Sequence, residues 1–421
     1  MQCALLIAPY ALLRAHNYLM ATQFLHIQSP GQKPHPFALF NLGFRPFFLF
    51  AAVFSLISMG VWAGVYLGGK TIPNLPIAPQ QWHAHEMLFG YALAVIAGFL
   101  LTAVRNWTNI PTLTGIKLAL LLALWLAARG LMLAAPQQVL AIFILDVGFN
   151  LALAIAVAIP LIQAKQFKQL GIVSKIVLLG MANACFYLGV LGQLEQGVRW
   201  GLYSALYLIL SLIFVMARRV LPFFIERGVG YPVQLLNRVW VDRSSLVLML
   251  LFWLVDVFTA WAGLAALLAA ALFVVHAIRL WDWHTPGVWK KPLLWVLLLA
   301  YGAALLGFLL KALAALLPLS PYLAVHAFAV GGIGLMTVGM MARVILGHTG
   351  RDIQRAPRWL VLVFFAILAA LFARVALPLL VPAYAVEWMG VAFAAWLYAY
   401  AVFLWIYAPM LIKPRVDGQP G

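Results

Sequence analysis

A few histidines carry the first chemical signal in this chain. His83-Ala84-His85-Glu86-Met87 sets two imidazoles two positions apart. On a helix that is about 200°, so His83 and His85 face different neighbours, whereas His83 and Glu86 can share a face. His326 opens one apolar run and His348 closes it. Three basic residues, Arg129, Lys311 and Arg374, and two acids, Asp146 and Asp256, fall inside apolar runs. A charge in mid-bilayer costs roughly 2.5–3.5 kcal/mol, so each basic group either snorkels and pairs with those acids or serves a site that binds an anion. Neutral imidazoles with cations nearby are what a haem b requires, histidine on iron and cations on the propionates. The same groups, His83, His85 and His326 completed by Glu86 or Met87, would equally suit copper or another borderline metal. The two cysteines, Cys3 and Cys185, form no Cys-x-x-Cys pair, which excludes thiolate zinc and iron–sulfur sites.

The elements that hold these residues are set by composition. With 66% of its 421 residues apolar, 9% charged and a mean hydropathy of +1.02, the chain is not a soluble enzyme. Its apolar residues come in runs of roughly 20, the length of a membrane-spanning helix, and not in the alternating pattern of an outer-membrane barrel. The formal charge of +17 is spread through short loops and forms no basic stripe with interleaved aromatics, so no nucleic-acid partner is expected. The pattern predicts an all-α polytopic helix bundle of about twelve spans, near 44–68, 82–104, 115–134, 138–163, 172–193, 200–225, 244–261, 262–280, 292–317, 322–346, 358–380 and 384–412. The division between spans seven and eight rests on an uncharged hairpin near Trp261. Twenty-two basic residues fall on the terminal segments and alternate loops, against Lys70 and Arg199 on the opposite loops. That bias places both termini in the cytoplasm of a multi-pass inner-membrane protein. Residues 1–43 read as a cytoplasmic segment in which Met20 is an alternative start, 44–412 as the membrane domain, and 413–421 as a cytoplasmic tail. By this topology Arg129, Lys311, Arg374, Asp146, Asp256, His83, His85 and His326 all lie towards the periplasmic side.

His326 and His348 are 22 positions apart on span ten, about 33 Å along the axis and only about 40° out of register. Gly331, Gly332, Gly334 and Gly339 lie between them and would admit either a neighbouring helix or a flat ring. Met336 and Met340 read as core, His276 and His284 as structural, and Asn183 and Cys185 as interior residues of an apolar run.

Several of these stretches together resemble the NnrS family: Phe40-Asn41-Leu42-Gly43-Phe44-Arg45-Pro46-Phe47-Phe48, Trp82-His83-Ala84-His85-Glu86-Met87, Arg218-Arg219-Val220-Leu221-Pro222-Phe223-Phe224, Gly331-Gly332-Ile333-Gly334, and Gly347-His348-Thr349-Gly350-Arg351. The resemblance runs from about Phe40 to the C-terminus. It implies a twelve-span bacterial inner-membrane protein containing haem and copper, linked to denitrification and protection against nitric oxide. The family's histidine-bearing motifs fall on His83, His85 and Glu86, on His326, and on His348. Ahead of Arg219, where the family tends to carry glycines, this chain has Ala217 and Arg218. Haem–copper oxidases also carry haem histidines on spans two and ten, but their further metal uses histidines on spans six and seven, which this chain lacks. Nitric oxide is the implied small-molecule ligand, and respiratory or denitrification proteins the implied partners. Two other classes stand beside this reading: a twelve-span secondary transporter, and an assembly factor for a respiratory complex.

Overall fold

A computed structural model describes residues 37–419. The segment 1–36, with Cys3, Met20 and most of the proposed N-terminal tail, lies outside the described residues. Among those described there is helix and no strand. Eleven helices are long and apolar enough to cross a membrane. They are α1 (Phe44–Tyr66), α2 (Pro79–Thr108), α3 (Gly115–Ala134), α4 (Val139–Gln163), α5 (Leu170–Val190), α6 (Gly197–Gly228), α8 (Ala262–Asp282), α9 (Pro292–Leu313), α10 (Pro321–His348), α11 (Leu360–Leu380) and α12 (Ala385–Ile412). Helix α7 (Val239–Phe258) has 20 residues but carries Asp242, Arg243 and Asp256.

The chain ends decide whether α7 crosses. Ala38 N–H donates to the Ile412 carbonyl at 2.9 Å, which brings the start of α1 and the end of α12 to one face. An odd number of crossings would separate them, so α7 is the twelfth span. The hairpin after it is as short as its sequence suggests. Thr259 Oγ1 donates to the Val255 carbonyl and accepts from Trp261 N–H, ending α7 within three residues of α8. Arg199, one of the two basic residues on the sparse side, closes the α7 C-terminus by donating to the Asp256 and Val257 carbonyls. A cation there also meets the negative end of the helix dipole.

Consecutive helices pack on one another, and α12 returns to α1. The centre is held by α2, α9 and α10, whose most apolar stretches are 83%, 78% and 72% buried, against 33–56% for the other eight. The histidine-bearing helices α2 and α10 are therefore interior. The α10 glycines serve helix packing. A Cβ at Gly331 would sit 2.5 Å from Ala303 Cβ of α9, and one at Gly334 would sit 2.9 Å from Trp396 of α12. Side chains fill the space a flat ring would need.

Three helices widen into π geometry at the end remote from the termini: α2 over Glu86–Ala92, α10 over Ala327–Leu335 and α11 over Phe372–Ala376. Such segments insert a residue into the helical ladder and recur at functional sites. The first two begin directly after His85 and His326, and the third contains Arg374.

Candidate cofactor site

At the end remote from the termini, the ring of His83 lies parallel to Trp62 of α1, with centroids 5.0 Å apart and planes 9° apart. Its Nδ1 is buried without a hydrogen-bond partner among the described residues. His326 Nδ1 is 2.7 Å from the Tyr322 carbonyl oxygen. A carbonyl only accepts, so Nδ1 carries the proton and Nε2 keeps its lone pair. The guanidinium of Arg374 acts electrostatically on both His326 and His83. The Arg374 Nε is likewise buried without an acceptor among the described residues. Two imidazoles with nitrogens unengaged among the described residues and one guanidinium thus lie at the ends of α2, α10 and α11 remote from the termini.

The other candidates are placed elsewhere. His85 points away from His83, as their spacing requires, and both its ring nitrogens are engaged: Nδ1 lies 2.9 Å from Glu86 Oε1, and Nε2 lies 3.1 Å from Asn183 Oδ1 and 3.5 Å from Asp146 Oδ2. Phe186 stacks on the ring at 4.3 Å. Glu86 sits with His85, its Oε1 drawn inward by Arg129 Nη1 at 2.5 Å. Arg129 also pairs with Asp146, which accepts from Tyr187 OH at 2.8 Å. His85, Glu86, Arg129 and Asp146 form a buried network between α2, α3 and α4, in which Glu86 Oε2, Arg129 Nε and Asp146 Oδ1 meet no hydrogen-bond partner among the described residues. Lys311 pairs with Asp256 at 2.6 Å, and Tyr207 OH donates to the same carboxylate at 2.7 Å. Of the three intramembrane basic residues, two have their charge taken by acids. Arg374 is the one that stands with His83 and His326. No three histidine, cysteine or acidic side chains form a ready-made metal shell among the described residues.

The family model described as NnrS protein matches residues 38–415, nearly the whole chain. The chain belongs to the NnrS family. None of the curated proteins compared with it matches.

In this NnrS chain the second histidine of α10 lies against α2 at the opposite end of the helix. His348 is at the end that carries the termini, with Nε2 3.5 Å from Asn106 Nδ2 of α2 and its ring 5.6 Å from Phe44. Around it the C-terminal tail folds back. Val416 N–H donates to the Thr349 carbonyl and Arg415 to that of His348. Outside the membrane segments, the hydrogen bond from Arg415 holds the Asp417 carboxyl down at about 2.

The structural readings of the remaining residues hold. His276 Nδ1 is 2.5 Å from Tyr301 OH and its ring stacks on Phe214, while His284 Nε2 accepts from Trp289 Nε1 at 3.0 Å. Met336 is 5% exposed in the core. Sequence reasoning missed a hydroxyl chain across the middle of the bundle. Tyr400 OH donates to Tyr91 OH. Thr337 Oγ1 spends its proton on the Ile333 carbonyl, so Tyr91 donates to Thr337, at 2.6 Å. The chain ties α12, α2 and α10 together, and Tyr400, Tyr91 and Thr337 within apolar stretches were its only trace.

Proposed function

We propose that this protein is a bacterial inner-membrane haem protein, with copper as a second metal, that handles nitric oxide and protects the cell against it. The observation that carries the cofactor reading is the convergence of His83, His326 and Arg374. His326 is oriented in the way metal-binding histidines are, one ring nitrogen donating to a backbone carbonyl and the other left basic. His83 adds a second imidazole whose Nδ1 is buried and unsatisfied, a costly state unless something binds there. Arg374 supplies a donor for a carboxylate of the bound group. The residues present therefore fit a haem ligated by imidazole, or a histidine-bound copper. Bound iron or copper would supply one-electron chemistry and a position for a diatomic gas.

The chain's own part is positional. Trp62 fixes the plane of His83, and Tyr322 fixes the tautomer of His326. The buried network of His85, Glu86, Arg129 and Asp146 anchors the first turn of α2, which carries His83. Family membership supports the nitric oxide reading, and the position of the site near a membrane face suits a neutral gas that arrives through lipid.

Protein purified from a haem-replete host should show a haem b Soret band that shifts when nitric oxide is added to the ferrous form. His326→Ala and His83→Ala should lower haem or copper content, while His284→Ala leaves it unchanged. A deletion strain should be more sensitive to nitric oxide, and His83→Ala should fail to rescue it. Full-length wild-type protein that is colourless and metal-free would end the cofactor reading. An electrode assay separates turnover, which continues past one equivalent of nitric oxide per haem, from binding, which stops there.

A further inference from the structure

The opposite end of α2 and α10 holds a second, different collection of charge. Arg45, in the first turn of α1, is fully buried. Its Nη1 donates to the Met410, Leu411 and Lys413 carbonyls at 3.2, 3.0 and 2.8 Å, closing the C-terminus of α12. A helix C-terminus offsets about half an elementary charge. The other donors, Nε and Nη2, are buried and meet no acceptor among the described residues.

The surroundings add positive charge. Arg415 and Arg351 act electrostatically on Arg45, and Arg415, Arg105 and Arg45 act on His348. Arg351 Nη1 donates to the Thr349 carbonyl at 3.4 Å, which holds its guanidinium beside the turn that follows His348. The acid among these groups is Asp417, and Arg415 already holds both its oxygens, at 2.9 and 2.6 Å. The tail reaches this position because Gly350, at φ 74°, has no side chain; a Cβ there would lie 2.6 Å from Asp417 Cγ. Among the described residues, four guanidinium groups stand against one carboxylate, and the α12 C-terminus compensates the buried Arg45 only in part. That is unfavourable unless an anion with several acceptors is bound.

We propose that Arg45, Arg105, Arg351 and Arg415 form a binding site for a phosphate-class oxyanion beside His348, at the end of the bundle that carries the termini. Planar guanidinium groups match the oxygen spacing of such an anion, and the C-terminal tail supplies Arg415 by folding over the turn at Thr349. Two sources present the same chemistry: inorganic phosphate, and the headgroup of an anionic lipid. The site is independent of His83 and His326 and does not depend on the cofactor reading.

The test uses full-length protein in nanodiscs, with the thermal midpoint as readout of ligand linkage. Phosphate is titrated against chloride at constant ionic strength in phosphatidylcholine discs, and phosphatidylglycerol is added in a parallel series. A rise with phosphate identifies the free anion; a rise only with phosphatidylglycerol identifies the lipid headgroup. Either supports the site, provided Arg45→Gln and Arg351→Gln each weaken the response by about tenfold. Lys290→Gln/Lys291→Gln should retain it, since those lysines line a separate cavity of about 150 Å³ with Arg343 and Arg355. If Arg45→Gln does not fold, Arg351→Gln decides. No response in wild type, or equal responses in all variants, overturns the proposal. So does an Arg45→Gln protein that loses haem while wild type ignores both anions, because the cations would then belong to a cofactor carboxylate.

Discussion

Arg129 is the sharpest point at which to perturb this molecule. It is 2% exposed, and its partners Glu86 and Asp146 are fully buried. In Arg129→Met the apolar stem is kept, so the loss is one of charge. Two buried carboxylates remain without their cation, and a compensating proton must be carried by His85 or by one of the carboxyls themselves. Removing one member of a buried ion network costs about 3–5 kcal/mol, chiefly because the partners stay desolvated. Lys311→Met is the internal comparison. Lys311 is 27% exposed, Asp256 8%, and Tyr207 continues to donate to that carboxylate, so the loss there should be about 1–2 kcal/mol. Thermal unfolding of the detergent-purified variants should rank Arg129→Met well below Lys311→Met. Adding Asp146→Asn to Arg129→Met should recover part of the loss, since it removes one stranded charge and leaves an oxygen for Tyr187. Equal stability of the two single variants would refute the reasoning. An Arg129→Met protein that keeps its stability but loses its cofactor would return Arg129 to the cation role that its position in the sequence suggests.

The remaining predictions concern topology, packing and the tail. A reporter fused after Val198 should read periplasmic and one at the C-terminus cytoplasmic; opposite readings would reverse the sidedness drawn from the basic residues. Gly331→Ala forces a Cβ to 2.5 Å from Ala303 Cβ and 2.9 Å from Leu371 and should destabilise by about 1–3 kcal/mol. Gly302→Ala, where the nearest atom is at 3.7 Å, should be near neutral, and equal midpoints for the pair would contradict this packing. Asp417 has its pKa depressed from 3.8 to about 2 in the folded tail, so its contribution is present above about 3.8 and is lost as pH falls through about 2. Hydrogen exchange at the Val416 amide, corrected for intrinsic rate, should therefore show constant protection from pH 5 to 8, and Asp417→Asn should reduce it throughout.

Much of the fold was legible because lipid imposes a simple rule. Spans of about 20 apolar residues with alternating basic loops gave twelve helices, and even the uncharged hairpin at 259–261 appears where the hydropathy break falls. The opposed directions of His83 and His85 followed from helical spacing alone. The reach of the intramembrane cations did not, since pairing depends on which helices become neighbours. Arg129 and Asp146 lie on consecutive helices and could have been matched, whereas Lys311 with Asp256, from α9 and α7, carries no local signal. The π segments were also illegible: a widened turn uses the same apolar residues as an α turn, and only the packing of α2, α10 and α11 selects it. The spacing allowed Glu86 to share a face with His83, and its contact with Arg129, which sets it beside His85, depends on the neighbouring helix.

Those π segments give the site an unusual mutational signature. Each behaves as a single inserted residue that the helix absorbs locally, so the outer cap of α2, α10 or α11 keeps its own phase relative to the stem below. Substitutions on the stem leave that phase alone, but deleting one residue within 327–335 would let the helix rewind to regular α geometry and swing His326 by about 100°. The histidine would remain in the chain, on a span of normal length and hydropathy, while facing a different neighbour. Among related sequences, the alignment gap and not the missing histidine would then mark the members that have lost the site.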